Sequence, residues 1–385
     1  MKILVANIGS TSFKYRLYDM AGGAVLGEGR SERIGRGGDC PDYATAIERC
    51  LGEVVGPGKP LGALADLTAV GFKAVLAKGV SGARIVSDDL LDAMEAWTFL
   101  APAHNPPYVA AMRAFRAVAP KVSLVALFET AFFDRLEEAA TTYALPAEWR
   151  ESHLVRRYGF HGASHRFASE RALALCPRKG LRHISCHLGG SSSLAAVRDG
   201  VAIDTSFGMS PQSGLPQNNR AGDVDAFAVL HMMKALSLDA DGMARVLASQ
   251  SGLAGLSGTS GEVPDLERAA AVGDARARLA LDVFVRSVRH YVGAFLVELG
   301  GLDVLTFSGG IGERGGRVRA SVCAGLEPFG IRLDPAQDQV SAREARISES
   351  TAPVEVYVIP ANEEWIVARA AAEVVSAASP VAHQE

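Results

Sequence analysis

Asn7-Ile8-Gly9-Ser10-Thr11-Ser12 links two strand-like runs, and His187-Leu188-Gly189-Gly190-Ser191-Ser192 repeats the arrangement half a chain later. Each copy reads apolar strand, small polar turn, second strand: Ile3–Ala6 into Phe13–Tyr18, and His183–Cys186 into Leu194–Val197. A turn of Gly and Ser lets backbone N–H groups converge on one small volume, which is how a chain cradles phosphate oxygens. A single such turn reads as an ordinary hairpin. Two matched copies point to a duplicated domain with a phosphate-binding hairpin in each half. Neither copy is a Walker A loop, which leads from a strand into a helix and ends in Gly-Lys-Ser/Thr. Lys14 follows the first turn but lies inside the alternating run Phe13-Lys14-Tyr15-Arg16-Leu17.

The chain has 385 residues, 48% of them apolar, and a net charge of −4. That length allows two domains with ample core. No basic stripe marks a nucleic-acid surface. Cys40, Cys50, Cys176, Cys186 and Cys323 are odd in number, far apart and without a CxxC pair, so neither a disulfide framework nor a zinc knuckle is expected. This usage fits a reducing cytoplasm. Met1–Ala6 is too short to read as a signal peptide, and no run is long and apolar enough for a membrane.

Strands alternating with helices predict an α/β protein of two layered domains with a cleft between them. The Gly-rich stretches Gly22–Gly29 and Gly35–Asp39 read as connections, and Asp88–Ala114 as helix, break and helix. The mixed segment Thr141–His153 is the expected boundary, giving domains 1–149 and 150–363. Asp223–Leu247 and Glu267–Leu299 read as long helices. In the second, Ala277, Leu281, Phe284, Val288 and Tyr291 form a core-facing stripe. Val354–Ile359 is the last strand, Asn362 the expected N-cap of the last helix, and the tail from Ala377 is expected to fray.

Besides the paired turns, three segments look chemical. Gly309-Gly310-Ile311-Gly312, after a strand and before a helix, offers backbone N–H groups to an anion. Tyr158–His165 holds His161 and His165 four residues apart. A zinc-protease motif needs Glu where Gly162 stands, so a histidine hydrogen-bonding beside a ligand is the stronger reading than a two-histidine metal site, and His165 reads as structural. Arg220-Ala221-Gly222-Asp223 offers an arginine to the cleft, with Asp223 as an N-cap.

These segments resemble the acetate kinase family of short-chain acid kinases, within the larger group of sugar kinases, actin and Hsp70 chaperones. Asn7–Lys14, His104-Asn105-Pro106, Tyr143–Pro146, Arg157–His165, His187–Ser193, Asp204–Pro211, Arg220–Asp225, Ser251–Ser260, Gly310–Glu313 and Ile359–Glu364 carry the resemblance in order over nearly the whole chain. It implies a duplicated actin-like, ribonuclease H-like fold whose first domain is completed by a C-terminal helix over 364–385. It also implies reversible phosphoryl transfer from ATP to a short-chain carboxylate, Mg²⁺ (or Mn²⁺) as cofactor, and a homodimer. By matched position, Asn7 and Glu363 would be metal residues. Glu129, His161, Arg220 and Lys73 would be catalytic. Lys14, His187, Leu188, Gly189, Gly190, Ser191, Glu262, Val263, Pro264, Gly310, Ile311, Gly312, Glu313 and Arg314 would meet the nucleotide. Lys73, Val75, Ala103, Phe160 and Pro211 would meet the acyl group.

The chain departs from the family inside the site. Lys73 replaces an arginine and loses its bidentate fork. Glu129 replaces an aspartate, and Gly190 the turn's asparagine. Glu262, Val263 and Pro264 stand where an aspartate, an aromatic and an arginine are expected. Three readings follow, in order: an acyl kinase with shifted substrate, a phosphotransferase using pyrophosphate or a hydroxyl acceptor, and a ligand-binding relative without catalysis. Ala103, in place of a leucine, predicts room for propionate or butyrate.

Overall fold

The computed structural model describes residues 1–9, 11–35, 37–38, 40–339 and 343–378. Ser10 of the first turn, Arg36 and Asp39 of a Gly-rich connection, and residues 379–385 of the tail lie outside the described residues. The chain divides into two compact units: Met1–Asp134 with Asn362–Glu385, and Arg135–Ala361. The boundary expected from sequence is at 149/150, and the two units meet along the chain at 134/135 and 361/362.

The first unit holds β1 (Lys2–Ile8), β2 (Phe13–Asp19), β3 (Ala24–Ser31), β4 (Ala69–Ala74), β5 (Ala83–Ile85) and β6 (Ser123–Phe128), in the order β3-β2-β1-β4-β6-β5. The second holds β7 (Arg182–Leu188), β8 (Ser192–Arg198), β9 (Val201–Thr205), β10 (Val304–Ser308), β11 (Ala345–Arg346) and β12 (Glu355–Val358), in the order β11-β12-β10-β7-β8-β9. Read from the meander edge, the two sheets match strand for strand. Three strands pair antiparallel, two join in parallel and one antiparallel strand closes the edge. Even the register irregularity recurs in the second hairpin of each, at Leu17/Tyr18 and at Ala196/Val197. One α/β topology is used twice.

Each sheet has its own apolar core, one built around Leu4, Phe13, Phe72 and Phe115, the other around Leu194, Phe284, Phe307 and Val356. Helix assignment is exchanged between the halves. The helix Gly162–Leu175, which follows β6 in the chain, packs on β7 and β10, while Glu363–Ala378, which follows β12, packs on β1, β4, β5 and β6.

Several sequence expectations change. Gly22–Gly29, read as a connection, lies largely in β3. Gly29 stands opposite Tyr15, and a Cβ on Gly29 would fall 2.6 Å from the Tyr15 ring, so the glycine marks a close approach rather than a break. The helix expected over Asp223–Leu247 is two helices, Ala226–Leu236 and Ala240–Ser249. Ser237 ends the first in the left-handed region (φ 51°), and the Asp239 side chain caps the second. The helix expected over Glu267–Leu299 is Val263–Ala271 and Ala275–Glu298, divided at Gly273 and capped again by Asp274. In the latter helix Ala277, Phe284 and Val288 are buried as predicted, but Leu281 and Tyr291 sit at the margin, and Ala280, Val292 and Phe295 complete the stripe. Asn362 Oδ1 is buried without a hydrogen-bond partner among the described residues, so the expected side-chain cap is not made.

The seat of the last helix is Gly71 on β4. A Cβ there would meet Val367 Cγ1 at 2.9 Å and Ala371 Cβ at 3.3 Å. Gly71→Val would therefore push the helix from the sheet and lower unfolding stability by about 1–3 kcal/mol, the usual range for overpacking a filled core. Urea denaturation reads this directly, and an unchanged midpoint would show that the helix does not rest there.

Candidate functional site

In the first unit, Lys73, Glu129 and Glu363 come together from three elements. Lys73 is the penultimate residue of β4, Glu129 follows β6, and Glu363 opens the last helix. Lys73 Nζ lies 2.5 Å from Glu363 Oε2 and 3.4 Å from Glu129 Oε1. The Glu129 side chain is 4% exposed, that of Glu363 12%. Burial alone would lower the Lys73 pKa, but the Glu363 and Glu129 carboxylates outweigh it and hold the ammonium charged well above its ordinary range. The Glu129 backbone N–H donates to the Ala74 carbonyl, so β4 and β6 hold this pair in register past the strand ends.

Asn7, at the end of β1, pairs in register with Lys14 on β2. Lys14 is exposed. Tyr108 was not anticipated. Its hydroxyl accepts from the Ile8 backbone N–H at 3.3 Å and lies 3.5 Å from Asn7 Oδ1. Burial pushes its phenol up to about 12, with Lys73, Glu129 and Glu363 all close enough to act on it electrostatically. The clue lay beside a quoted motif, four residues after His104. Within that motif, the fully buried Asn105 donates from Nδ2 to the carbonyls of Leu76 and Met94 at 2.9 and 2.7 Å. It thereby fixes the loop that carries Val75, which is buried, whereas Ala103 is exposed in the turn ahead.

In the second unit the β7–β8 turn is closed by Ser192, which accepts from the Gly189 N–H and donates to the Gly189 carbonyl. Leu188 is buried in the core and His187 ends the strand's partly exposed face. A Cβ on Gly190 would stand 3.2 Å from Asn218 Nδ2, and Asn218 in turn donates to Glu262 Oε1 at 2.7 Å. Arg220 Nη1 donates to Gln217 Oε1, the Pro211 carbonyl and Ser191 Oγ at 3.1, 3.3 and 3.5 Å. Its largely buried guanidinium has a pKa lowered by desolvation. His161 precedes the helix Gly162–Leu175 in the left-handed region (φ 59°), its ring 4.4 Å from that of His187 and 5.2 Å from Phe207. Phe160 and Pro211 are buried close by in sequence.

Gly309–Arg314 forms one short helix after β10. Gly309 (φ 74°) lies against the Leu188 backbone, where a Cβ would meet its carbonyl oxygen at 2.6 Å. This close approach brings Gly310 to within 3.9 Å of the Gly189 Cβ position. Glu313 accepts from the Ala361 N–H, Ile311 packs partly buried against the core, and Arg314 is exposed. Glu262 precedes the helix Val263–Ala271, with Pro264 exposed in its first turn, but Val263 is buried in the core. Asp223 is not the N-cap expected. Asp225 caps Ala226–Leu236, and Asp223 instead accepts from the Gly214 N–H and the Tyr291 hydroxyl.

The Acetokinase family model matches residues 2–369. The chain belongs to the acetokinase family. It is 40% identical to the acetate kinase of Dictyoglomus turgidum, over 97% of this chain and 98% of that protein. It is 39% identical to that of Phocaeicola vulgatus, over 96% and 98%. Among solved structures, the acetate kinase of Porphyromonas gingivalis aligns with a TM-score of 0.87 at 33% identity, covering 98% of this chain and all of that one. A propionate kinase from Francisella tularensis aligns with the same TM-score at 29% identity, covering 96% and 98%. The duplicated α/β actin-like fold expected from the sequence is therefore the fold of this family member.

Lys73→Met would remove the ammonium that pairs with both Glu129 and Glu363. Removing one partner from a buried ionic cluster costs about 3 kcal/mol or more. Chemical denaturation at neutral pH should show that loss, and a change below about 0.5 kcal/mol, the scale of an ordinary surface substitution, would mean the ammonium does not hold the carboxylates.

Proposed function

We propose that this chain transfers the γ-phosphoryl group of ATP to a short-chain carboxylate, reversibly, yielding an acyl phosphate and ADP. The observation that carries the reading is the Lys73–Glu129–Glu363 cluster, set in a chain that the family model matches over residues 2–369. A carboxylate acceptor is already ionised at neutral pH. Its oxygen forms the new bond to the γ-phosphorus, the bond to the ADP oxygen breaks, and no proton need be removed. The barrier is electrostatic, an anion meeting a polyanion, so cations and oriented donors supply the catalysis.

In this reading His161 and Arg220 stabilise charge on the transferring group, and Lys73 and Glu129 order the acceptor side. Lys14, the turn His187–Ser191, Glu262–Pro264 and Gly310–Arg314 meet the nucleotide. Val75, Ala103, Phe160 and Pro211 border the acyl group. Among the described residues no group of three or more His, Cys, Asp or Glu side chains gathers into an all-protein metal site. Oxygen donors from Asn7 and Glu363 suit Mg²⁺ (or Mn²⁺) instead, since that ion takes one or two carboxylates together with substrate phosphates. An amide oxygen at the end of β1 and a carboxylate at the start of the last helix are the hard donors such an ion takes, so this donor set fits. When bound, the ion would neutralise phosphate charge.

A hydroxamate trap run with ATP and acetate, propionate or butyrate tests the activity. Acyl hydroxamate formation is the expected result, and none with any acid would overturn the reading. If Ala103 widens the pocket, propionate should at least match acetate in kcat/KM, one methylene being worth about 1–3 kcal/mol in an apolar pocket. A clear acetate preference would remove Ala103 from that role.

The partner is a second copy of the chain. The helix Ala226–Leu236 buries none of its residues and exposes Phe227, Leu230 and Leu236, with Phe227 80% exposed. An apolar surface of this kind is a contact face. No helix among the described residues is long and apolar enough to cross a membrane, and all five cysteines are free and buried, in keeping with a cytoplasmic enzyme. Light scattering should give a dimer mass for the wild type and a monomer for Phe227→Asp/Leu230→Asp. A dimer that survives both changes would place the contact elsewhere.

A further inference from the structure

A chain of buried imidazoles and hydroxyls runs inward from His161. His161 Nδ1 lies 2.8 Å from Ser193 Oγ on β8, and the same oxygen lies 2.8 Å from His165 Nε2. His165 Nδ1 lies 2.9 Å from Ser185 Oγ on β7. Ser193, His165 and Ser185 are fully buried. The His161 ring has the His165 ring of its own helix at 6.5 Å, the His187 ring of β7 at 4.4 Å and the Phe207 ring at 5.2 Å. His187 Nδ1 is engaged by Ser164 Oγ at 2.7 Å. Burial, and then the neighbouring His187 and His183, hold the His165 pKa well below its ordinary value, so that ring stays neutral and carries one N–H.

Proton counting then restricts the network. Ser193 has one O–H and can donate to only one of its two imidazole nitrogens, so the other nitrogen must donate to it. Two arrangements satisfy every bond. In the first, Ser185 donates to His165 Nδ1, His165 Nε2–H donates to Ser193, and Ser193 donates to His161 Nδ1. Neutral His161 then presents its proton at Nε2. In the second, His161 Nδ1–H donates to Ser193, Ser193 donates to His165 Nε2, and His165 Nδ1–H donates to Ser185. Only the second accommodates an imidazolium at His161.

We propose that Ser193 and His165 are positioning residues that form a tautomer relay for His161, with His165 in its Nε2–H form when His161 is neutral and an Nε2 donor, and in its Nδ1–H form when His161 is cationic. The change takes up one solvent proton, which rests on His161, while both hydroxyls and His165 keep their own proton numbers. The relay rests on the reading of His161 as the group that meets the transferring phosphoryl. It gives that group a defined proton at Nε2 in either state, with the ring pinned through Nδ1.

The test uses the full chain labelled with ¹⁵N-histidine and long-range ¹H–¹⁵N spectra, recorded over about two pH units on each side of the ordinary imidazole value near 6.5. His165 should exchange its Nδ1 and Nε2 signatures with the same midpoint as the His161 titration while remaining neutral. Ser193→Ala should uncouple the two rings and lower kcat on the order of 10–100-fold, the loss typical when a histidine's orienting partner is removed, with both KM values nearly unchanged. His165→Gln, which keeps a polar group toward Ser193, should retain more kcat than His165→Leu. A His165 tautomer that stays constant through the His161 titration in the wild type overturns the relay, as does a folded Ser193→Ala chain with wild-type kcat. The spectra need no turnover, so a chain that forms no acyl phosphate would sink the functional reading while leaving the relay to be judged separately.

Discussion

The ammonium of Lys73 between the carboxylates of Glu129 and Glu363 is the interaction that lets two largely buried acids share one place in the first unit. Two buried carboxylates repel each other and resist leaving water. One cation held by both makes their proximity tolerable, and the alignment of β4 with β6 places two of the three groups. The third arrives from the far end of the chain. Glu363 opens a helix that can lie on β4 because Gly71 presents no side chain beneath Val367 and Ala371. A backbone position without chemistry of its own therefore governs where a carboxylate sits.

The duplicated topology divides the labour. Each unit builds the same meander and the same parallel pair, and each pairs its first two strands antiparallel. What lines the turns differs. In the first unit the ends of β4 and β6 deliver a lysine and one carboxylate, and the start of the last helix delivers the other. In the second, the turn is flanked by an arginine with a largely buried guanidinium and by a histidine whose ring is tied into a buried hydroxyl–imidazole network. Burial works against charge on both: the Glu363 and Glu129 carboxylates outweigh it at Lys73, while at His165 it prevails, with His187 and His183 acting in the same direction.

Much of this was legible along the chain. The repeated turn announced duplication, and ordered short motifs carried the family. The misreadings share a cause. Gly22–Gly29 looked like a connection because glycine lacks strand propensity, yet Gly29 is required by the Tyr15 ring across the register. The two long helices were run together because their apolar period continues through Ser237-Leu238-Asp239 and Val272-Gly273-Asp274, where local caps end it. Asp223 looked like a cap by position, but its carboxylate is drawn to Gly214 and Tyr291, both distant along the chain. Tyr108 could not be singled out, because a tyrosine in a helix has no pattern that marks a neighbour on another strand.

Local pattern by itself determined that this is a duplicated α/β chain, which segments turn tightly around small residues, and which family its motifs belong to. Those properties depend on residues adjacent or periodic in sequence. Which charges share a partner was decided only by folding. Lys73 meets Glu363 because a sheet and a helix remote in sequence pack face to face, and Ser193 lies between His161 and His165 because a strand passes beneath a helix. Such meetings depend on side-chain volumes and strand register across the core, and neither is written in the order of residues at any one place.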